Sequence, residues 1–459
     1  MKRIFLLSMT IAMVCSCSIY RKYERPENIL PMDSLYRAVS AGSAEDIDTT
    51  TIGHIAWEEM FTDPYLQALI RTGLENNTNL QSAILRVDAA QAQLKASKWA
   101  FAPSISLAPQ GGLTSINGNT ASWTYNIGAN ASWDIDLFGS LLNAKRGAQA
   151  ALLQQQAYRQ AVKSQLIATI ANSYYGILMT DEQIAVSEQS IGIWKEQVRT
   201  LEARMRVGIV TENAVTQARA NLYGLEASHA NLLQQQVSGE YALCALLGVA
   251  PFTIERGRLA DQTLPDNLST GLPVQLLSNR PDVQQAEMTL ASAYYSTNKA
   301  RSAFYPNLRL SGSAGWTNSL GQAVSDPTGW ILSALASLTA PIFNHGRLVA
   351  NLKVSKAEEE VAKLNYRQTI IEAGRQVNVN MAAIETATVM YEKHLAQCAD
   401  LERTVKTAED IYRHSPSGSY LEILTARQSL LNAQLNAISD QYQRLSSTVN
   451  LYQALGGGK

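Results

Sequence analysis

Cysteine is almost absent. The 459-residue chain holds four, and two of these, Cys15 and Cys17, stand close together near its start. Only Cys244 and Cys398 lie further on, and two distant thiols make no disulfide framework. Each sits in a long helical stretch, so both read as buried free thiols. Charge is sparse and balanced: 17% of residues are charged and the formal net charge is −1. That balance lacks the basic footprint of a nucleic-acid binder, and none is expected as a partner. No run of 18 apolar residues occurs, so further membrane contact has to use strands. Proline is missing between Pro109 and Pro251, between Pro341 and Pro416, and after Pro416. Since proline breaks helix interiors, these gaps permit very long helices. The histidines, His54, His229, His345, His394 and His414, have no ligand spacing. No phosphate-binding glycine loop or nucleophile elbow occurs. No catalytic residue, metal or cofactor is therefore expected, and the chain does not read as an enzyme.

What is present begins with an export signal. Lys2 and Arg3 precede a short apolar stretch, Ile4 to Val14, too short to span a bilayer as a helix. A bacterial lipobox needs an aliphatic residue three before the cysteine and a small one just before it. Cys17 has Val14 and Ser16 in those places, while Cys15 has Ala12 and Val14, a poorer fit. The reading is a lipoprotein signal peptide over 1–16, with Cys17 as the lipidated first residue of a segment 17–60. An ordinary secretory signal with incidental cysteines is the alternative.

The rest of the chain is written twice. An offset of 203 aligns Asn79-Leu80-Gln81-Ser82-Ala83 with Asp282-Val283-Gln284-Gln285-Ala286. It also aligns Phe101 with Phe304, Pro103 with Pro306, Leu107 with Leu310 and Gly112 with Gly315. Later the offset is 208, pairing Tyr158-Arg159-Gln160 with Tyr366-Arg367-Gln368 and Leu247-Gly248 with Leu455-Gly456. A period of about 200 is too long for a solenoid and marks two copies of one structural unit. The copies are placed at 61–255 and 256–459, the second opening on a linker. Each reads as a helical segment, two strands and a long helical hairpin. A helix from Ser140 to Arg206 would run about 100 Å and needs partners alongside it. The rows Tyr158, Val162, Leu166, Ile170, Tyr174, Leu178 and Leu424, Leu431, Leu435, Ile438, Tyr442, Leu445, Val449, Tyr452 supply the seams. They are the core of a helical bundle and carry no chemistry.

Between the helices the period changes to two. Trp123, Tyr125, Ile127, Ala129, Ala131, Trp133, Ile135 and Leu137 alternate with Ser122, Thr124, Asn126, Gly128, Asn130, Ser132, Asp134 and Asp136. This is a long strand with one apolar and one polar face. The second copy repeats it from Trp330 through Leu332, Ala334, Ala336, Leu338 and Ala340 to Ile342. Aromatics at the ends of the apolar face, Trp123, Tyr125, Trp133 and Trp330, fit membrane-interface girdles around a small-residue midsection. Shorter strands around Ile105–Leu107 and Leu308–Trp316 bring the total to four per chain. Four strands cannot close around a lumen, and lipid tolerates no open sheet edge. Other copies of the chain must complete the barrel.

At this point the residues resemble the TolC-type outer membrane factors, in the lipoprotein branch serving RND-type tripartite efflux pumps. The resemblance rests on the start from Cys17 to Pro26, on Trp57, Phe61, Asp63-Pro64, Leu69-Ile70, Asn77 and Leu80. It continues through Leu272-Pro273, Arg280-Pro281-Asp282, Ala286-Glu287 and Phe304-Tyr305-Pro306, and ends on Tyr420 to Leu424 and Ala454 to Gly458. It implies a mainly α fold with membrane β. It implies a homotrimer whose twelve-strand outer-membrane barrel is continued by a long periplasmic α-helical barrel. It implies an outer-membrane localisation with a lipid anchor, a periplasmic adaptor, an inner-membrane RND-type pump and outer-membrane lipid as partners. The function implied is a passive duct for export of small molecules. The duct of a type I protein-secretion system shares the fold and stays open as an alternative. A periplasmic coiled-coil lipoprotein is a different class, against which the Trp123–Leu137 alternation argues.

The resemblance also implies where adaptor contacts fall. The first hairpin turns at Arg206 to Thr211, where Gly208 suits a left-handed C-cap and Thr211 suits an N-cap. Gly208, Val210 and Thr211 are the contact candidates. The second turn offers Ser417, Gly418 and Ser419, and departs from the family in having Pro416 where glycine is usual. Just beyond it, Tyr420 and Glu422 are the gate candidates. Glu422 stands at a family acidic position, and threefold symmetry would gather three carboxylates that attract cations. A second acidic position of the family is occupied here by Thr425.

Overall fold

The computed structural model describes residues 20–26, 35, 52–115, 121–263, 265, 279–317, 330–414 and 420–458. The order of elements is α1 (Trp57–Met60), α2 (Pro64–Asn76), α3 (Thr78–Trp99), β1 (Ser104–Leu107), β2 (Gln110–Thr114), β3 (Ser122–Ile135), α4 (Ser140–Arg206), α5 (Glu212–Leu247), α6 (Pro281–Ser302), β4 (Asn307–Thr317), β5 (Ile331–Thr339), α7 (Arg347–His414) and α8 (Tyr420–Ala454). Helix, strands and helical hairpin recur in the same order in both copies. α4 has 67 residues and α7 has 68, the lengths that the proline gaps permit. None of the described helices is long and apolar enough to cross a membrane.

Local chemistry sets the helix ends. The Asp63 side chain accepts from Tyr65 N at 2.8 Å and caps α2, with Pro64 in the first turn where its missing N–H is harmless. Asp136 does the same for α4 by accepting from Leu142 N at 2.7 Å. The long helices stop at glycines of positive φ, Gly208 at +77°, Gly248 at +75° and Gly456 at +86°. Each makes the paired closing bonds of a left-handed cap. At the last of them Gly456 N donates to Gln453 O and Gly457 N to Tyr452 O.

All strand pairs are antiparallel, and the sheet runs β1/β2–β3–β4–β5. β1 and β2 share one register on β3: Leu107 faces Ala129 and Gln110 faces Asn126. They are one strand interrupted at Pro109, which has no N–H for the ladder. Among the described residues the count is therefore four strands. Gly128 and Gly315 face each other across β3–β4, and a Cβ on Gly315 would come within 2.3 Å of the Ile127 carbonyl oxygen.

Contacts divide the chain into two compact units, each drawn from both copies. One takes in Leu85–Ala157 and Gln284–Thr369 and holds the sheet. The other takes in Tyr158–Val283 and Ile370–Lys459. In the second unit most of the predicted seam is buried, with Leu166, Ile170, Tyr174 and Leu178 on α4 and Leu424, Leu431, Leu445, Val449 and Tyr452 on α8, while Tyr158, Val162, Leu435, Ile438 and Tyr442 are half-buried. A segment after the first hairpin is held there too. The Tyr174 hydroxyl donates to Asp63 Oδ2 at 2.6 Å and accepts from Gly257 N at 3.0 Å. Arg256 pairs with Asp181 and Glu240. Cys244 and Cys398 are free and buried, as the sequence indicates.

Candidate functional site

The sheet keeps the two-faced pattern at nearly every position. On one face Ile127 lies opposite Trp316, Ala129 opposite Ala314, Ala131 opposite Gly312 and Trp133 opposite Leu310. The row continues on β5 with Leu332, Ala334, Ala336 and Leu338, and on β1 with Ile105 and Leu107. These large apolar side chains are exposed: Ile105, Leu107, Trp316, Leu332 and Leu338 all face outward. A contiguous apolar surface of this kind needs an apolar cover. The other face carries Ser104, Asn130, Ser132, Ser311, Ser313 and Ser333, joined in part by hydroxyl pairs such as Ser313 with Ser333 at 2.7 Å. Leu335 departs from the pattern on that face.

Of the four girdle aromatics, Trp123, Tyr125 and Trp133 lie on β3, and Trp330 directly precedes β5. Trp133 donates from Nε1 to the Phe101 carbonyl at 2.9 Å. The alternation extended the strand to Leu137, but β3 ends at Ile135, because Asp136 is drawn into capping α4.

Beyond Cys17 the chain is strapped to the sheet-bearing unit. Cys17 itself lies outside the described residues. Three residues later the described chain begins, and Tyr23 N donates to the Tyr295 hydroxyl at 3.2 Å. The Tyr294 hydroxyl donates to Arg21 O, and Arg25 binds the buried Glu287 bidentately at 2.7 and 2.9 Å. Sequence reading missed this clamp, whose partners are more than 250 positions apart.

At the first hairpin turn, Gly208 has open space around it. Val210 packs on the cluster of Trp194, Leu201, Val215 and Leu222, whereas Val207 and Ile209 are the exposed apolar residues of the turn. Thr211 occupies the N-cap position of α5, but its side chain makes no capping bond, contrary to expectation. Its carbonyl accepts from Ala214 N instead. Ser417, Gly418, Ser419 and Pro416 lie outside the described residues. Tyr420 and Glu422 both start α8 but part company there. Tyr420 packs on the same cluster beside Tyr412, with ring centroids 5.7 Å apart, and burial pushes its hydroxyl well above the usual tyrosine range. Glu422 is exposed on a groove of about 810 Å³ with Arg403, Ile411, Leu421 and Thr425. The Thr425 hydroxyl is taken by the Leu421 carbonyl. Among the described residues no group of three His, Cys, Asp or Glu side chains is placed to hold a metal.

The chain thus has one sheet with an apolar face and two long helical hairpins, the strand pairs and hairpins each recurring in the two copies. The chain belongs to the outer membrane efflux protein family, whose profile matches residues 69–249 and 272–457. It is 29% identical to the probable efflux pump outer membrane protein TtgC of Pseudomonas putida, over all of this chain and 96% of TtgC. It is 28% identical to the probable outer membrane lipoprotein SilC of Salmonella typhimurium, over 98% of this chain and 97% of SilC. The open state of the Neisseria gonorrhoeae MtrE outer membrane channel superimposes with a TM-score of 0.84, covering 96% of this chain and 98% of MtrE at 26% identity. The family is one of efflux channels, not of enzymes.

Proposed function

We propose that this efflux channel works as a homotrimer, anchored by lipid at Cys17 and closed as a twelve-strand barrel in the outer membrane. One observation carries the reading. Among the described residues β1/β2 pair only with β3, and β5 pairs only with β4. The sheet has an apolar face and two open edges, and neither edge can stand in lipid unpaired. Joining β5 of one copy to β1/β2 of the next satisfies both edges at every seam, and closed cyclic symmetry is the ordinary way to do so. The lipid anchor is supported by the clamp on residues 20–26, which holds the chain next to Cys17 in the unit that contains the sheet. The paired hairpins continue the duct into the periplasm, where an adaptor engages their turns and an RND-type pump supplies cargo. Val207 and Ile209 join Gly208, Val210 and Thr211 as contacts of the first turn. Glu422 rather than Tyr420 faces the groove at the second, and is the gate candidate. Small molecules pass without chemistry. The names of the relatives favour efflux over protein secretion.

The test is native mass in mild detergent followed by conductance in planar bilayers. A trimer that forms open channels is the expected result. A monomer released without detergent overturns the reading.

A further inference from the structure

The described strands hold two charged side chains, and these bind each other. Arg309 on β4 and Asp134 on β3 are direct cross-strand partners. Arg309 Nε lies 2.9 Å from Asp134 Oδ1, and Nη2 lies 3.3 Å from Oδ2. Both stand on the polar face, among Asn130, Ser132, Ser311 and Ser313, at the end of the sheet that leads into the helices. Their side chains are 57% and 38% exposed. So exposed a pair adds little to stability, and a guanidinium does not lose its charge.

The pair also breaks the internal repeat. Ser104 faces Ser132 and Asn307 faces Thr339, so the counterparts of Arg309 and Asp134 in the other copy are Ser106 and Pro341. The β3–β4 seam inside the chain carries a cation and an anion, while the counterpart positions carry neither. Asp136, the nearest other carboxylate along the chain, is turned into the start of α4, where the helix dipole compensates it in part.

We propose that Asp134 is a charge-cancelling, specificity-determining residue of the duct. It rests on the reading above, in which the polar face lines the lumen of a trimeric barrel. Three Arg309 guanidiniums would otherwise ring the throat and act on ions within a Debye length, about 8 Å at physiological salt. Held by Asp134, they leave a throat of hydroxyls, amides and cancelled charges. Such a throat passes cations, anions and neutral amphiphiles alike and leaves selection to whatever loads it.

The experiment compares wild type, Asp134→Asn, Arg309→Gln and the double variant, each shown to be trimeric by native mass. Reversal potentials are read in planar bilayers across a potassium chloride gradient. Asp134→Asn is expected to shift the cation-to-anion permeability ratio toward anions by about two- to fivefold. Arg309→Gln shifts it toward cations by a similar factor, and the double variant returns to the wild-type ratio. A purely structural ladder contact would leave all four ratios equal, and that result overturns the proposal, as would two single shifts of the same sign. A wild-type trimer that conducts nothing is a different failure, for it removes the duct reading and this inference with it.

Discussion

At the root of the first hairpin, Asn77 accepts from Leu80 N at the start of α3 and donates to the Leu246 carbonyl at 2.8 Å. At the root of the second, Arg280 stands 203 positions later and donates to the Ala454 carbonyl, the counterpart of Leu246 at the 208 offset, at 3.0 Å. The backbone beneath is the same. Gly248 turns against Asn76 and Gly456 against Asn279, and a Cβ on either would fall 2.5 or 2.4 Å from a carbonyl oxygen. Both copies keep glycine because positive φ and a carbonyl at that distance exclude every other residue. The fastening side chain was free to change, provided its donor reached the same carbonyl. The second copy used that freedom to add partners: Arg280 also binds Asp282 at 2.6 Å and Gln376 at 2.9 Å. A further tie is matched in the first copy only by a weak thiol contact, Cys244 Sγ to the Phe252 carbonyl at 3.8 Å. The Tyr452 hydroxyl donates to Ile55 O at 2.7 Å and accepts from Gly458 N at 2.8 Å, while Cys244 fills the equivalent place in the first copy.

The contrast can be broken in order of effect. Gly456→Ala and Gly248→Ala should each cost about 3 kcal/mol, from left-handed strain plus overpacking against backbone. Denaturant unfolding should give the two within error of each other, and a large inequality would deny the shared backbone. Arg280→Ala should cost about 2 kcal/mol, since besides stripping a carbonyl of its donor it breaks the bonds to Asp282 and Gln376, whereas Asn77→Ala, which strips the equivalent carbonyl, should cost about 1 kcal/mol. Equal losses would show that the extra partners of Arg280 contribute nothing. Gly208→Ala has the same φ as Gly248 but open space, and should cost only about 1 kcal/mol. The smallest effect at neutral pH belongs to Tyr452. Burial holds its folded pKa up at about 12, above the value of about 10 for an exposed tyrosine. The unfolded chain therefore ionises first, so the stabilising effect is intact below about pH 10 and drains away as pH rises toward 12. Tyr452→Phe should flatten that alkaline loss, and an unchanged slope would place it elsewhere.

The sequence made α4 legible to its end residues because proline absence and a glycine stop act locally. β3 was legible because alternation over its length admits one reading. The repeat at 203 and 208 announced that Gly248 and Gly456 would match. What stayed hidden depends on pairing across distance. No local pattern joins Arg25 to Glu287, Asp134 to Arg309, or Tyr452 to Ile55. The divergence of Tyr420 from Glu422 was hidden for another reason. Residues two apart on a helix point about 200° apart, but which of them meets the core depends on α4 and α5. The inward turn of Val210 and the outward turn of Val207 and Ile209 depend likewise on the cluster around Trp194.

The open edges of the sheet have a genetic consequence. If three copies close one ring, as proposed, every strand pairing across a seam is shared, so a copy whose β5 cannot pair spoils the assembly it enters. Where normal and defective copies are made equally and mix freely, roughly one ring in eight escapes a defective member. Such an allele behaves as a dominant poison, whereas a chain that never reaches the membrane merely halves the supply.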